Sequence, residues 1–238
     1  MSMSTLVSLS HQMALKNQMD VIANNIANMS TPGFQGERPL FSQYLARSGG
    51  ASVSFVQDGG ILRDTRPGPL AHTGNNLDLG INGEGYFVVE SEGERLYTRN
   101  GSFRLDGSGR LTTATGDLVM SDSNQPIVFA PDEVDIQIGR DGTVSTENGA
   151  VGRIRLVTFA DQQKLQKAGD TLLKTDEAPI EAANAEIAQG MLEGSNVQSV
   201  IEMTRMIDVL RSFQKAAKMI DSDSELGSRA IKTLTEIV

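Results

Sequence analysis

Few residues in this chain have the types and spacing that catalysis demands. Its two histidines, His11 and His72, stand far apart in unlike contexts. Cysteine is absent, so neither a disulfide framework nor a thiolate metal site is available. A Ser-His-Asp triad or a histidine metal site would need partners that nothing nearby announces. The adjacent acids Asp132 and Glu133 read as solvated turn residues rather than as a glycosidase pair. "GINGEG" (80–85) has glycines but not the order of a dinucleotide loop, and reads as a glycine-rich entry to a strand. "DSDSELG" (221–227) lacks the twelve-residue calcium-loop pattern and reads as an exposed interruption of a helix. Neither a catalytic residue, a cofactor nor a metal is implied.

The side chains that do stand out are amides. In "DVIANNIANMSTPGFQ" (20–35), Asn24, Asn25 and Asn28 crowd the end of a helical pattern just before a Ser-Thr-Pro-Gly stop. Asparagine is a poor helix former, but its amide both donates and accepts without carrying charge, and it tolerates left-handed backbone at a helix end. Capping accounts for one of the three. Three together fit a tightly packed polar seam, where they bond neighbouring backbone.

The elements around these amides are amphipathic. Residues 3–28 read as a helix in which Leu15, Met19, Ile22 and Ile26 keep 4-3-4 spacing, with Leu6, Leu9 and Met13 forming an earlier seam. Pro32-Gly33 ends it. Residues 197–238 read as a second helix. There Met206, Leu210, Phe213, Ala217 and Ile220 keep 4-3-4-3 spacing, Met203 extends the seam, and Ile231, Leu234 and Val238 resume it beyond a weak spot at Ser224 and Gly227. Methionines in both seams (Met13, Met19, Met203 and Met206) suit packing against non-identical neighbours.

Between the helices the pattern changes to short β-like runs: "YFVVE" (86–90), "RLYTR" (95–99), "GRLTTA" (109–114) and "RIRLVTF" (153–159). Turns at Asp58-Gly59, Asp106-Gly107-Ser108-Gly109 and Asp141-Gly142 separate such runs. The predicted fold class is α+β: terminal helices pairing as a coiled-coil-like inner element, and a central, mostly antiparallel β domain of sandwich or barrel type. The predicted domains are 1–32 with 197–238 (helical), 33–70 with 171–196 (connecting extended or β arms), and 71–170 (the β domain).

Charge is distributed unevenly. Residues 1–32 carry one Lys and one Asp, and residues 197–238 carry six basic and six acidic side chains. The middle, 33–196, has 14 basic against 23 acidic residues and supplies the whole net charge of −9. An acidic body with neutral ends is unsuited to nucleic acid, which demands a basic stripe. Neutral ends suit dense packing of many copies, because like-charge repulsion accumulates in a crowded assembly. No run of about 20 apolar residues is present to span a bilayer, and the N-terminus lacks a Sec-type signal pattern.

Four stretches resemble the bacterial flagellar rod and hook protein family. "ANNIANMSTPGFQ" (23–35) is similar to that family's N-terminal signature, and "QGMLEGSNVQSVIEMTRMIDVLRSFQ" (189–214) to its C-terminal block. "TGNNLDLGINGEGYFVV" (73–89) and "YTRNGSFRLDGSGRLTTATGDLV" (97–119) resemble its central segments, in the family's order. Length and the opening segment look more like a proximal-rod than a distal-rod member. The resemblance implies a structural, non-enzymatic subunit of a helical tube in the periplasm that transmits torque and encloses the export channel. It implies export through the flagellar type III apparatus without a cleaved signal, and partners that are other copies and other axial proteins. It further implies terminal segments that order on assembly. The helix seams, with Asn24, Asn25, Asn28, Gly33, Phe34 and Asn196 from the matched blocks, are then the expected subunit interface. The rival of another class is a secreted β-domain glycan hydrolase that uses its helices only for docking.

Overall fold

The N-terminal apolar periodicity becomes a helix, α1 (Met3–Ala27), in a computed structural model that describes residues 3–48, 51–130 and 135–236. It is followed by two long antiparallel strands, β1 (Glu37–Ser48) and β2 (Ala51–Arg63). The chain closes with a 38-residue helix, α2 (Ser199–Glu236), about 57 Å long at 1.5 Å per residue. These elements form unit 1, residues 1–27, 37–63 and 198–238; unit 2 comprises 28–36 and 64–197.

Two local expectations change. The helix backbone runs unbroken through 221–227, so "DSDSELG" is not an interruption. One glycine in a helix interior costs about 1 kcal/mol, which good helix formers on either side absorb. Asp58-Gly59 is not a turn either. It lies inside β2, where Leu40 pairs with Gly60 and Phe41 with Asp58, leaving Gly59 as the extra residue of a bulge. Gly60, at φ +105°, supplies the left-handed backbone that this irregularity uses. Asp132, Glu133 and Val238, and the side chains of Ile231 and Leu234, lie outside the described residues.

Unit 2 is built around one antiparallel sheet whose central strand is Tyr86–Ser91. That strand pairs with Glu94–Thr98, with Leu118–Val119 and with Leu156–Thr158. Its "YFVV" run explains the architecture. Phe87 and Val89 enter a core with Leu79, Ile81, Leu111 and Phe129, whereas Tyr86 and Val88 enter a second core with Tyr97, Val157 and Phe159. Side chains alternate across a strand, so burial of every one of them means that both faces of the sheet are covered. The turn at 106–109 falls between Phe103–Leu105 and Leu111–Thr113, as its residues predict. The Asp141-Gly142 turn falls between Gln137–Ile138 and Thr143–Thr146. "RIRLVTF" is not one strand: Gly149–Arg153 and Leu156–Thr158 belong to different sheets. Small pairs complete the unit, Leu79–Asn82 with Glu186–Gln189 and Leu70–His72 with Met191–Glu193.

Candidate subunit-interface site

α1 and α2 pack along one face of each helix. Leu15 and Ile22 of α1 meet Val209 and Ala216 of α2 in a buried cluster, with Met19, Ile26, Met206 and Phe213 packed against it. On α2 this face is Met206, Val209, Phe213 and Ala216, spaced 3-4-3. α2 thus turns Val209 and Ala216 toward α1, one residue off the anticipated Leu210 and Ala217. Ala217 and Ile220 are half-buried, and Leu210 is 44% exposed. Leu210 instead continues a second apolar stripe, Val200, Met203 and Ile207, also spaced 3-4-3 and all exposed, Val200 by 75%. On α1, Leu6, Leu9 and Met13 are exposed as well.

The three asparagines have three different situations. Asn25 is 3% exposed. Its Oδ1 accepts from the Glu37 N–H at 2.9 Å, and its Nδ2 donates to the Glu37 carbonyl at 2.8 Å. The amide therefore satisfies both main-chain groups of the first β1 residue, as a paired strand would. Nδ2 also lies 3.4 Å from Oε2 of Glu202, a buried α2 carboxylate that bonds Arg205 one turn on. Asn28 belongs to the turn that follows α1: its carbonyl accepts from the Thr31 N–H at 3.1 Å and its Oδ1 from the Thr31 hydroxyl at 3.2 Å. Asn24 is exposed.

Gly33, Phe34 and Asn196 lie in unit 2. Gly33 has φ +68°, and a Cβ there would sit 2.4 Å from the carbonyl carbon of Arg99, so both backbone conformation and space require glycine. Phe34 is buried, with the Lys167 ammonium 5.1 Å from its ring centre. The Asn196 side chain accepts from the Gly36 N–H at 2.8 Å and donates to the carbonyls of Asp64 and Arg66 at 2.8 and 2.7 Å.

Sequence reading missed Arg99 and Glu193. Arg99 Nε donates to Glu193 Oε2 at 2.7 Å, while its Nη atoms donate to the carbonyls of Gly85 at 2.8 Å and Gly83 at 3.1 Å. The "GINGEG" glycines therefore wrap carbonyls around a guanidinium. The available signal was an arginine at the end of the apolar strand "RLYT" and a glutamate in the apolar "GMLE", two charges with no local reason to be there.

The histidines do not build a site. His72 Nδ1 donates to the Gly190 carbonyl at 2.9 Å, and His11 sits in unit 1 beside Val7, Ser212 and Lys215. Among the described residues no group of three or more His, Asp or Glu is placed to hold a metal ion. No described helix is long and apolar enough to cross a membrane.

Known proteins show the same arrangement of segments. Residues 6–35 match the family model described as "Flagella basal body rod protein", 80–146 "Flagellar hook protein FlgE/F/G D1 domain", and 188–233 "Flagellar basal body rod FlgEFG protein C-terminal". The flagellar basal-body rod protein FlgF of Caulobacter vibrioides is 40% identical, over 97% of each chain. This chain belongs to the flagellar basal-body rod protein family. The FlgF of Mesorhizobium japonicum is 33% identical over 97% of each chain. The FlgG of Caulobacter vibrioides is 32% identical over 87% of this chain and 90% of that one. The chain is thus a structural rod subunit that resembles FlgF more than FlgG. The first and last family matches span the packed α1–α2 face, Asn25, Gly33, Glu193 and Asn196, while Arg99 lies in the central one.

Proposed function

We propose that this rod subunit works in the proximal rod, where copies polymerise through their helices into a tube that crosses the periplasm, encloses the export channel and transmits torque. Its partners are further copies and other axial proteins. It reaches its place through the flagellar type III export apparatus, with no cleaved signal. The higher identity to FlgF than to FlgG within one organism supports the proximal position.

The observation that carries the assembly reading is the second stripe of α2. Val200, Met203, Ile207 and Leu210 remain exposed after α1 has taken the adjoining face. Among the described residues α2 has two apolar faces and α1 takes one of them, which leaves a face for a neighbouring subunit. In this reading Leu15, Met19, Ile22, Ile26, Met206, Val209, Phe213 and Ala216 hold the pair in shape, and Met203 and Leu210, joined by Asn24, face the next copy.

The test is complementation of a strain lacking this chain with Leu210→Asp and Met203→Asp variants. Both purified monomers should keep wild-type helix content and melting, and both should be missing from isolated basal bodies. Incorporation at the wild-type level would sink the assigned stripe.

A further inference from the structure

Four times the chain passes between unit 1 and unit 2: at 27/28, 36/37, 63/64 and 197/198. Within unit 2, the residues next to these passages are bonded to one another. Asn196 holds the Gly36 N–H and the carbonyls of Asp64 and Arg66 with a single side chain. The Asp64 N–H donates to the Gly36 carbonyl at 2.8 Å, and the Asn196 N–H to the Phe34 carbonyl at 3.3 Å. Three residues earlier, the Glu193 carbonyl accepts from the Gly33 N–H at 2.8 Å, and its Oε1 accepts from the Gly68 N–H at 2.9 Å. The backbones approach closely: a Cβ on Gly68 would lie 1.9 Å from the Gly194 carbonyl oxygen. Arg99 anchors Glu193 and is itself held by carbonyls of residues 83 and 85.

We infer that Asn196 and Glu193 are positioning residues that gather segments 33–36, 64–68 and 193–196 into one collar, so that load carried along these connections enters the β body through all of them together. The load-bearing role rests on the rod reading above; the collar itself rests on the bonds. Separate connections would each transmit force through freely rotating single bonds, whereas cross-tied ones resist twisting as a group. The amide suits the post at 196 because it needs one acceptor and two donors in one planar group. Aspartate keeps the acceptor and loses both donors.

The experiment compares full-length wild type with Asn196→Ala and Asn196→Asp by backbone hydrogen exchange, with the strand amides at 86–91 as the internal reference. In Asn196→Ala, the Gly36 amide, which donates to the Asn196 side chain, should exchange about tenfold faster or more. The Asp64 amide, which donates to the Gly36 carbonyl, should quicken with it as the tie between the two segments is lost, with the sheet unchanged. In Asn196→Asp, Gly36 should stay slow because its acceptor is kept, while the Asp64 amide accelerates because the carbonyls of Asp64 and Arg66 lose the donors that hold their segment. Should the alanine variant loosen the sheet as well, the aspartate variant decides. Unchanged Gly36 and Asp64 rates in alanine, or equal acceleration of both in aspartate, would overturn the collar. In cells, swimming speed normalised to the amount of each variant found in isolated basal bodies should fall more steeply than wild type as medium viscosity rises. Faster exchange with a wild-type viscosity response would overturn the load-bearing role. Failure of the wild-type chain itself to enter rods would instead remove the rod reading and leave the exchange result standing.

Discussion

Arg99 and Glu193 stand 94 positions apart in sequence and form an ion pair in which each side chain is only 2% exposed. Burying both charges is costly, and here the cost is offset because the pair is embedded in further bonds. Glu193 takes the Gly68 N–H, and Arg99 takes the carbonyls of Gly83 and Gly85. Removing one partner leaves an uncompensated buried charge. Arg99→Met should therefore destabilise unit 2 by about 3–5 kcal/mol, read by denaturant unfolding of the full chain. Apolar replacement of both residues should not restore stability, because the Gly68 N–H and the loop carbonyls would still lack partners. A double variant as stable as wild type would show that those secondary bonds contribute little.

Asn25 and Asn24 are neighbours with opposite environments, which makes them a matched pair for testing. Asn25→Ala strands the N–H and C=O of Glu37, a buried residue, and should cost about 1–3 kcal/mol in thermal unfolding monitored by helix content. Asn24→Ala, at an exposed position, should change stability by no more than about 0.5 kcal/mol. Equal losses at the two sites would mean that the Glu37 bonds are not what Asn25 contributes.

Much of this was readable from the residue pattern, and the failures have specific causes. "YFVV" flanked by turn signals was legible as a strand because β periodicity and turn chemistry are local. The α1 seam was legible for the same reason, and Leu15, Met19, Ile22 and Ile26 all face α2. On α2 two overlapping stripes satisfy 3-4 spacing, Met206–Val209–Phe213–Ala216 and Val200–Met203–Ile207–Leu210, and periodicity cannot say which one meets α1. Val209 and Ala216 are the α2 residues buried against α1, a choice that is decided only with the partner helix present. The Asp58-Gly59 dipeptide is a turn signal by composition, but pairing with β1 on either side makes it a bulge. Arg99 and Glu193 each stood out as a charge in apolar surroundings, but their pairing was not legible, because no local rule couples positions so far apart.

Asp117 gives unit 2 an acid-sensitive contribution. Burial pushes its carboxyl up, yet hydrogen bonds from Ser91, Thr115 and Thr113 outweigh that effect and hold it below the ordinary carboxylate range. The Thr113 hydroxyl lies 2.7 Å from its Oδ2. With the folded value depressed, the stabilisation is fully present above the unfolded value near ~3.9 and is lost as pH falls through the folded value. Asp117→Asn keeps an acceptor oxygen but removes the charge. It should be about 1 kcal/mol less stable than wild type at pH 7, with the gap closing below about pH 4. A gap that stays constant across that range would assign the loss to packing rather than to charge.

The two units should also open independently. The described cluster of unit 1 has four buried apolar residues, Leu15, Ile22, Val209 and Ala216, spread along two long helices. Unit 2 has two buried clusters on opposite faces of a sheet, tied by pairs such as Phe87 with Phe103, whose ring centres are 5.1 Å apart. Opening free energy follows buried apolar contact, so the smaller cluster should open at lower cost. Backbone exchange on the soluble chain should therefore be faster across 3–27 and 199–220 than across 86–98. Assembly into rods should slow it at those ends as the exposed stripe of α2 gains a partner, with the entropy of ordering offset by that burial. Equal protection of the helices and the sheet in the monomer would mean that the α1–α2 pair is already complete. The stripe at Val200, Met203, Ile207 and Leu210 would then add contacts between finished subunits rather than order unfinished ones.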